Sequence, residues 1–540
     1  MIPWLRRPNN NHRDSLFNLP LYPPAPKKNG GVDLASQQLT ADVNQILTSF
    51  SVVKARRQLS ETSEEEWKKR GETRALALFH AAAEYVPAYK DFLQKNQIKP
   101  DKIKTIADFK QIPLVDKENY LRVYPLDQLC WHGNISSSQM ISVSSGSSGQ
   151  PFFWPRGQIL DAETALEHEL FLTSFFELDQ KSTLFIVCFA MGMYVAGPVT
   201  MNSVLHMSEK GYPVTVVTPG YSPDDVLRII PNIASQYDQV VLAGYPPYIK
   251  EIIDQGADRG INWPDINLKF LLAGEGFNES WRTYVAKLSG DRSPVHDFMN
   301  LYGSADAAVL AHETTASIVI RRRISEDLET RRKIFNDERL PSLLQYHPEH
   351  KYFETVGEEI IFTATGGVPL VRYNIHDRGG ILSRSDIEEK IPELKESFAE
   401  IAKNHQLWNL PFVYVFGKSD QTAIVYGANV YPENIKKALE EEGLCRYCSG
   451  KIIMYTELDK NNDQRLHIEV ECSNGTNPSK QMTEKMKRRV FETLMEVNSE
   501  YRVVNQGIGD RSVPIISLYP HGDARFQSYG AKHKWTKKSD

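Results

Sequence analysis

The chain has 540 residues, of which 41% are apolar, 10% aromatic and 24% charged, and its 63 basic and 68 acidic side chains leave a formal net charge of −5. That length exceeds one ordinary core and calls for roughly three or four packed units, grouped as one large domain and one small one, with the composition of a soluble globular protein. The charge balance argues against bulk attraction to nucleic acid or an anionic membrane, and leaves small polyanions held at a local site.

Residues 1 to about 40 are rich in Pro, Asn and Lys and carry no sustained period. Asn9 to Asn11 and Pro23, Pro24 and Pro26 stand where a signal peptide would need an apolar core, and no apolar run is long enough to span a bilayer. The expectation is a tail or surface arm, drawn over residues 1–62, on a cytoplasmic protein. The cysteines at 130, 188, 445, 448 and 472 are scattered, as in a reducing compartment, and the Cys445/Cys448 pair has no second pair or histidine at zinc spacing. From Ser63 the pattern becomes helical. Leu76, Phe79, Ala83 and Val86 recur on one face, and Ser63 with Glu66 has the form of a capping box.

Ser144, Ser145, Gly146, Ser147, Ser148 and Gly149, followed by Gln150 and Pro151, make a run of small hydroxyl-bearing and flexible residues. Glycine lets backbone N–H groups turn toward an anion and serine adds donors, so the run suits a phosphate loop. Read alone it also suits a solvated linker, and it lacks the lysine-serine ending of a P-loop.

Between residues 180 and 370, short apolar runs alternate with helix-compatible stretches: Leu184 to Phe189, Val214 to Val217, Val240 to Ala243, Leu268 to Ala273 and Glu359 to Thr363. Two end at once in glycine, at Gly244 and Gly274. Buried strands with helices between them predict an α/β sheet whose ligands sit at the strand C-termini. Arg321 to Lys333 reads as a solvated helix or loop, or as a basic patch, with Glu326, Asp327 and Glu329 offsetting its charge. Beyond about residue 415 the pattern changes. Lys451 to Tyr455, Leu466 to Glu471 and Val513 to Leu518 read as strands and Met482 to Val497 as an amphipathic helix, together a compact α+β unit. The boundary falls at Gly417 to Asp420, giving a large unit over 63–416 and a small one over 417–540.

Several segments in fixed order resemble the phenylacetate-CoA ligase branch of the adenylate-forming superfamily. They are Ile112 to Leu121, the 143–151 loop, Ala273-Gly274-Glu275-Gly276, Leu301 to Asp306, Val371 to Asp377, Gly417 to Asp420 and Gly427 to Glu433. The resemblance implies a large adenylate-forming domain of mixed sheets and helices followed by a small mobile domain. It implies ATP and Mg²⁺ with a carboxylic acid as substrate, and coenzyme A as acceptor. An amine acceptor, giving an amide synthetase, and an inactive nucleotide- or acyl-binding homologue are the alternatives.

Carried over residue by residue, the resemblance gives the Ser144 to Gly149 loop to the ATP phosphates and Glu275, Gly276, Tyr302, Gly303, Asp377 and Lys418 to adenine and ribose. Asp306 stands where the family usually has a magnesium-serving glutamate one methylene longer. Asp420 is the implied hinge, and Gly427, Ala428 and Asn429 the implied coenzyme A path. Lys532 matches the C-terminal catalytic lysine, although Ala531 separates it from Gly530 and Lys534 is a rival. Phe189, Tyr245, Pro246 and Ala273, after the early strands, are expected to border a pocket for an aryl or medium-sized acid.

Overall fold

A computed structural model describes residues 19–25, 34–144, 151–274, 276–277, 279–337, 340–403, 407–418, 423–430, 432–439, 441, 443–473 and 475–526. Strands β1 (Met140–Ser144) and β2 (Phe152–Arg156) form a hairpin of their own. The main sheet has eleven strands: β3 (Thr183–Val187), β4 (Val214–Val217), β5 (Gln239–Gly244), β6 (Leu268–Ala273), β7 (Phe298–Ser304), β8 (Ala308–His312), β9 (Ser342–Gln345), β10 (Lys351–Val356), β11 (Glu359–Ala364), β12 (Leu370–Leu382) and β13 (Phe412–Lys418). Their spatial order is β10-β11-β12-β13-β9-β8-β7-β6-β5-β3-β4.

The sheet has two halves of different character. From β7 to β4 all neighbours are parallel, and β5 is buried at every position because helices cover both faces. From β7 to β10 every pair is antiparallel, which permits the short connections between β10, β11 and β12. The expected α/β architecture is present, and the parallel strands all end on one edge.

The small unit has its own core. Strands β14 (Ala423–Val425) and β15 (Ala428–Val430) pair, while β16 (Cys448–Leu458), β17 (Gln464–Cys472) and β18 (Ile515–Tyr519) form a sheet backed by helices Lys480–Val497 and Ser499–Ile508. Ile452, Met454, Ile468 and Val470 face Met486, Val490 and Leu494 in one buried cluster. This α+β unit follows the large α/β unit in the chain. Among the described residues no helix is long and apolar enough to cross a membrane.

Two expectations need correction. Residues 34–61, assigned to a tail or arm, form helices Leu34–Ser49 and Val52–Glu61 that lie against helix Gln158–Phe176. Val43, Ala55 and Leu59 are buried there, in the same cluster as Phe171 and Leu172. The Arg321 to Lys333 stretch is not simply solvated. Arg321 is buried at 1% exposure on helix Thr315–Ile324, 2.6 Å from Glu279, and Arg282 meets Glu313 at 2.7 Å beside it.

Helix Gln158–Phe176 is enclosed almost throughout, charged residues included. Glu163 meets Lys351 at 3.3 Å and Arg74 at 3.4 Å, Glu169 meets Lys210 at 2.5 Å, and Glu167 bonds His350 Nδ1 at 2.6 Å. Burial pushes the Glu167 carboxyl up from 4.5 to about 7, against the pull of Lys351. A raised carboxyl keeps its proton in the folded state where the unfolded chain has lost it, so its contribution falls as pH rises from 4.5 toward 7 and stays lost above. Glu167→Gln removes that ionisation. The variant is expected to match the wild type near pH 4.5 and to exceed it by about 1–3 kcal/mol at pH 8, in urea unfolding at both pH values. A difference that does not change with pH refutes the assignment.

Candidate active site

The segment before the hairpin is placed by β12. Val115 N–H donates to the Arg372 carbonyl at 3.1 Å and Asn374 N–H to the Val115 carbonyl at 2.8 Å, a parallel bridge between Val115 and Tyr373. The Arg372 guanidinium donates to the carbonyls of Lys110, at 2.6 Å, and Ile112, while its Nε holds Glu354 at 3.0 Å. Asp116 then caps one short helical turn, Lys117–Leu121. Its carboxylate accepts from the Glu118 and Asn119 N–H groups, and Asn119 returns the bond to the Asp116 N–H.

That turn aims Lys117 at Asp306. The ammonium lies 3.5 Å from Asp306 Oδ1, and the Tyr373 hydroxyl donates to Oδ2 at 2.7 Å. Asp306 is 5% exposed and Tyr373 1%, so both partners work in low dielectric. Burial, with the neighbouring carboxylate, holds the Tyr373 phenol well above its ordinary value, which keeps it a neutral donor. Arg156, fully enclosed on β2, donates to the Ala305 carbonyl at 3.2 Å.

Between strands β7 and β12, the Tyr302 hydroxyl donates to Asp377 Oδ2 at 2.5 Å. Burial is the main cause that raises the Tyr302 phenol well above its usual range, and the Asp377 charge adds to it. Asp377 on β12 stands opposite Lys418 on β13, so the two predicted ribose residues are cross-strand partners. Gly303 follows Tyr302 at a register shift, where a Cβ would meet the Ala308 carbonyl at 2.9 Å. Gly276 leaves its Cβ position 3.2 Å from Ser342 Oγ.

A second cluster lies on the same strand edge. Ala273, at the end of β6, pairs with Leu301, the residue before Tyr302. The Tyr245 ring, just after β5, is enclosed by two glycines. A Cβ on Gly274 would come within 2.2 Å of it and one on Gly427 within 2.7 Å, and both glycines have left-handed φ, +93° and +83°. Phe189 meets Tyr245 edge-on at 5.4 Å, and Tyr221 stacks on it at 5.6 Å. The Tyr221 hydroxyl donates to the Tyr426 carbonyl at 3.1 Å, so the small unit covers this aromatic group.

The sequence-predicted residues therefore fall into two neighbouring sets. Tyr302, Asp306, Asp377 and the backbone of Lys418 gather around Tyr373 and Lys117, while Phe189, Tyr245 and Ala273 gather under Gly427, with Pro246 buried at the first turn of helix Pro246–Asp258. Ala428 is in the small core at 1% exposure, and Asn429 is bonded through its N–H, at 3.0 Å, and side chain to Glu500. Ser144 closes the β1–β2 hairpin opposite Phe152 and accepts its N–H at 3.3 Å. Ser145 to Gly149, Glu275, Asp420 and Lys532 lie outside the described residues, as does the side chain of Lys418.

Sequence reading missed Lys117, Arg156 and Tyr373 as members of this site. The signal for Lys117 was present, since Asp116 and Asn119 flank it at capping-box spacing. The Asp306 carboxylate, expected to serve magnesium, already faces an ammonium and a phenol, a donor set that does not suit a resident divalent ion. Magnesium carried on ATP phosphates would be substrate rather than a resident ion.

No family model and no curated protein sequence matches the chain. Among solved structures it is similar to 2-hydroxyisobutyryl-CoA ligase with 2-HIB-AMP and CoA in the thioester-forming state, with a TM-score of 0.61 at 16% identity over 89% of this chain and 91% of that one. An open conformation of the same ligase with the same two molecules gives 0.52 at 15% identity over 89% and 94%. Its postadenylation state with 2-HIB-AMP gives 0.51 at 14% over 89% and 92%. The chain has the fold of this ligase, a large α/β unit followed by a small α+β one.

The Asp306 pairing has a measurable consequence. Tyr373→Phe leaves a buried carboxylate oxygen without its donor and is expected to lower stability by about 1–3 kcal/mol, read as a reduced urea midpoint. A midpoint equal to that of the wild type would show the hydrogen bond to be dispensable.

Proposed function

We propose that the chain activates a carboxylic acid with ATP as an acyl-adenylate, releasing pyrophosphate, and then passes the acyl group to the thiol of coenzyme A. The observation that carries this reading is the meeting of two chemically different clusters on one edge of the parallel strands. One is polar and paired, with Tyr302 on Asp377 and Lys117 on Asp306, and the other is the aromatic enclosure of Tyr245. Strand C-termini are where open α/β sheets bind their ligands.

Adenylation brings a carboxylate up to a triphosphate, so donors and cations must offset the repulsion before any bond forms. Asp377, positioned by Tyr302, is a carboxylate with further acceptor capacity for a ribose diol. Lys117, held on its capped turn, is a cation fixed beside Asp306, and the Ser144 to Gly149 run is assigned the phosphates through its N–H and hydroxyl donors. Lys532 is assigned the mobile cation on the reacting carboxylate and α-phosphate. Phe189, Tyr245 and Ala273 suit an aryl or medium-sized acid.

Acyl transfer then needs the small unit to cover the acyl group, as Gly427 covers Tyr245 here. Support for a thiol acceptor comes from the likeness to a ligase held with 2-HIB-AMP and CoA in its thioester-forming state. Carboxylate-dependent exchange of labelled pyrophosphate into ATP, run over aryl, fatty and amino acids, tests the first step. Exchange with at least one acid is expected, and Lys532→Ala should reduce it by about 10²–10³-fold. Absence of exchange with every acid rejects the activity. Amide without thioester, in parallel incubations with amines and coenzyme A, rejects the thiol acceptor.

A further inference from the structure

We infer that Arg511 and Asp463 of the small unit, with Lys250, Glu251 and Asp254 of helix Pro246–Asp258, form an ionic latch that holds the small unit in its acyl-transfer arrangement. The inference rests on the function proposed above and makes these residues positioning residues for the second half-reaction.

The latch joins the two units at close range. Lys250 Nζ lies 2.6 Å from Asp254 and 3.1 Å from Asp463, and Arg511 pairs with Glu251 while lying 3.6 Å from Asp463. The Lys250 and Glu251 side chains are 2% and 0% exposed, whereas Arg511 retains 31%. The charges are thus buried on the large unit and approached from the solvent side by the small one.

Both halves are rigidly seated. On the large unit the helix starts one residue after Tyr245, and Gln255 adds a 2.5 Å bond to Glu251. On the small unit Asp463 closes a turn whose Asp459 carboxylate accepts its N–H at 3.0 Å, and the adjacent Gln464 side chain accepts the Tyr426 N–H. Tyr426 precedes Gly427. The same hairpin end that carries Asp463 therefore also fixes the loop that covers Tyr245, so latch and cover move as one body.

The energetic sense follows from Glu251. Where the small unit docks, Glu251 is enclosed and needs the Arg511 guanidinium; where the small unit has turned away, that face of the helix meets water. Removing Arg511 leaves a buried carboxylate without its counterion in the docked arrangement alone, which shifts the population away from it. Adenylation, which uses a different placement of the small unit, does not depend on this pair.

The test compares full-length wild type, Arg511→Ala, Arg511→Lys and Asp463→Asn. Small-angle scattering at low salt is expected to fit the docked arrangement for the wild type and to shift toward separated units for Arg511→Ala, with unchanged circular dichroism. Pyrophosphate exchange should be retained, while thioester formation from preformed acyl-adenylate falls about tenfold in Arg511→Ala and recovers in part in Arg511→Lys. Unchanged scattering with an unchanged ratio of half-reactions overturns the latch, as does an equal fall in both. A wild-type chain without exchange refutes the proposed function instead, and scattering alone then decides the latch.

Discussion

The site depends on one guanidinium. Arg372 sits inside β12 with a left-handed φ of 51°, a conformation that an L-residue adopts only when its surroundings hold it. Its fork to the Lys110 and Ile112 carbonyls, with Glu354 as counterion, fixes the chain arriving at Val115 against Tyr373. From that register follow the capped turn, the direction of Lys117 and the pairing of Asp306. The resemblance grouped Arg372 with the ribose-holding segment. The structure gives the arginine a scaffolding task and leaves Asp377, five residues on in the same strand, beside Tyr302.

β12 is long because it serves several partners. It pairs with β11 along one side and β13 along the other, with register shifts in both ladders. The shift in the β11 ladder between Asn374 and Arg378 falls between Tyr373 and Asp377, which meet in one cluster. β13 ends at Lys418, the last described residue before the small unit, so a strand that helps build the polar cluster also precedes the link between the two units in the chain.

Much of this was legible in sequence where the signal was local. Apolar runs closed by Gly244 and Gly274 marked parallel strand ends, and Ser63 marked a helix start that the structure confirms by its bond from the Glu66 N–H. The aromatic and glycine residues after those strands did prove to be neighbours. What could not be read were charges buried against distant partners. Arg321 lies 42 residues from Glu279, and Glu163 lies 188 from Lys351; locally each looks like a solvated charge. The helices at 34–61 were hidden for a related reason, since the apolar face that buries Val43 and Leu59 packs in one cluster with helix Gln158–Phe176, more than a hundred residues on. Lys117 was visible as part of a motif, but its partner at 306 was not.

The chemistry of the contact between units matters as much as its position. An apolar interface of similar extent would gain steadily from area removed from water and would be costly to open at each turnover. Charges behave differently, because ions that leave one another regain their hydration, so the docked and released states stay closer in free energy. The aromatic enclosure of Tyr245 supplies a modest apolar contact, in which Gly427 and Gly274 present no side chain of their own. Around it, Lys250, Glu251, Asp463 and Arg511 define one geometry without a large apolar seal. A small unit built this way can dock in a single register and still let go, as the proposed alternation between two half-reactions requires.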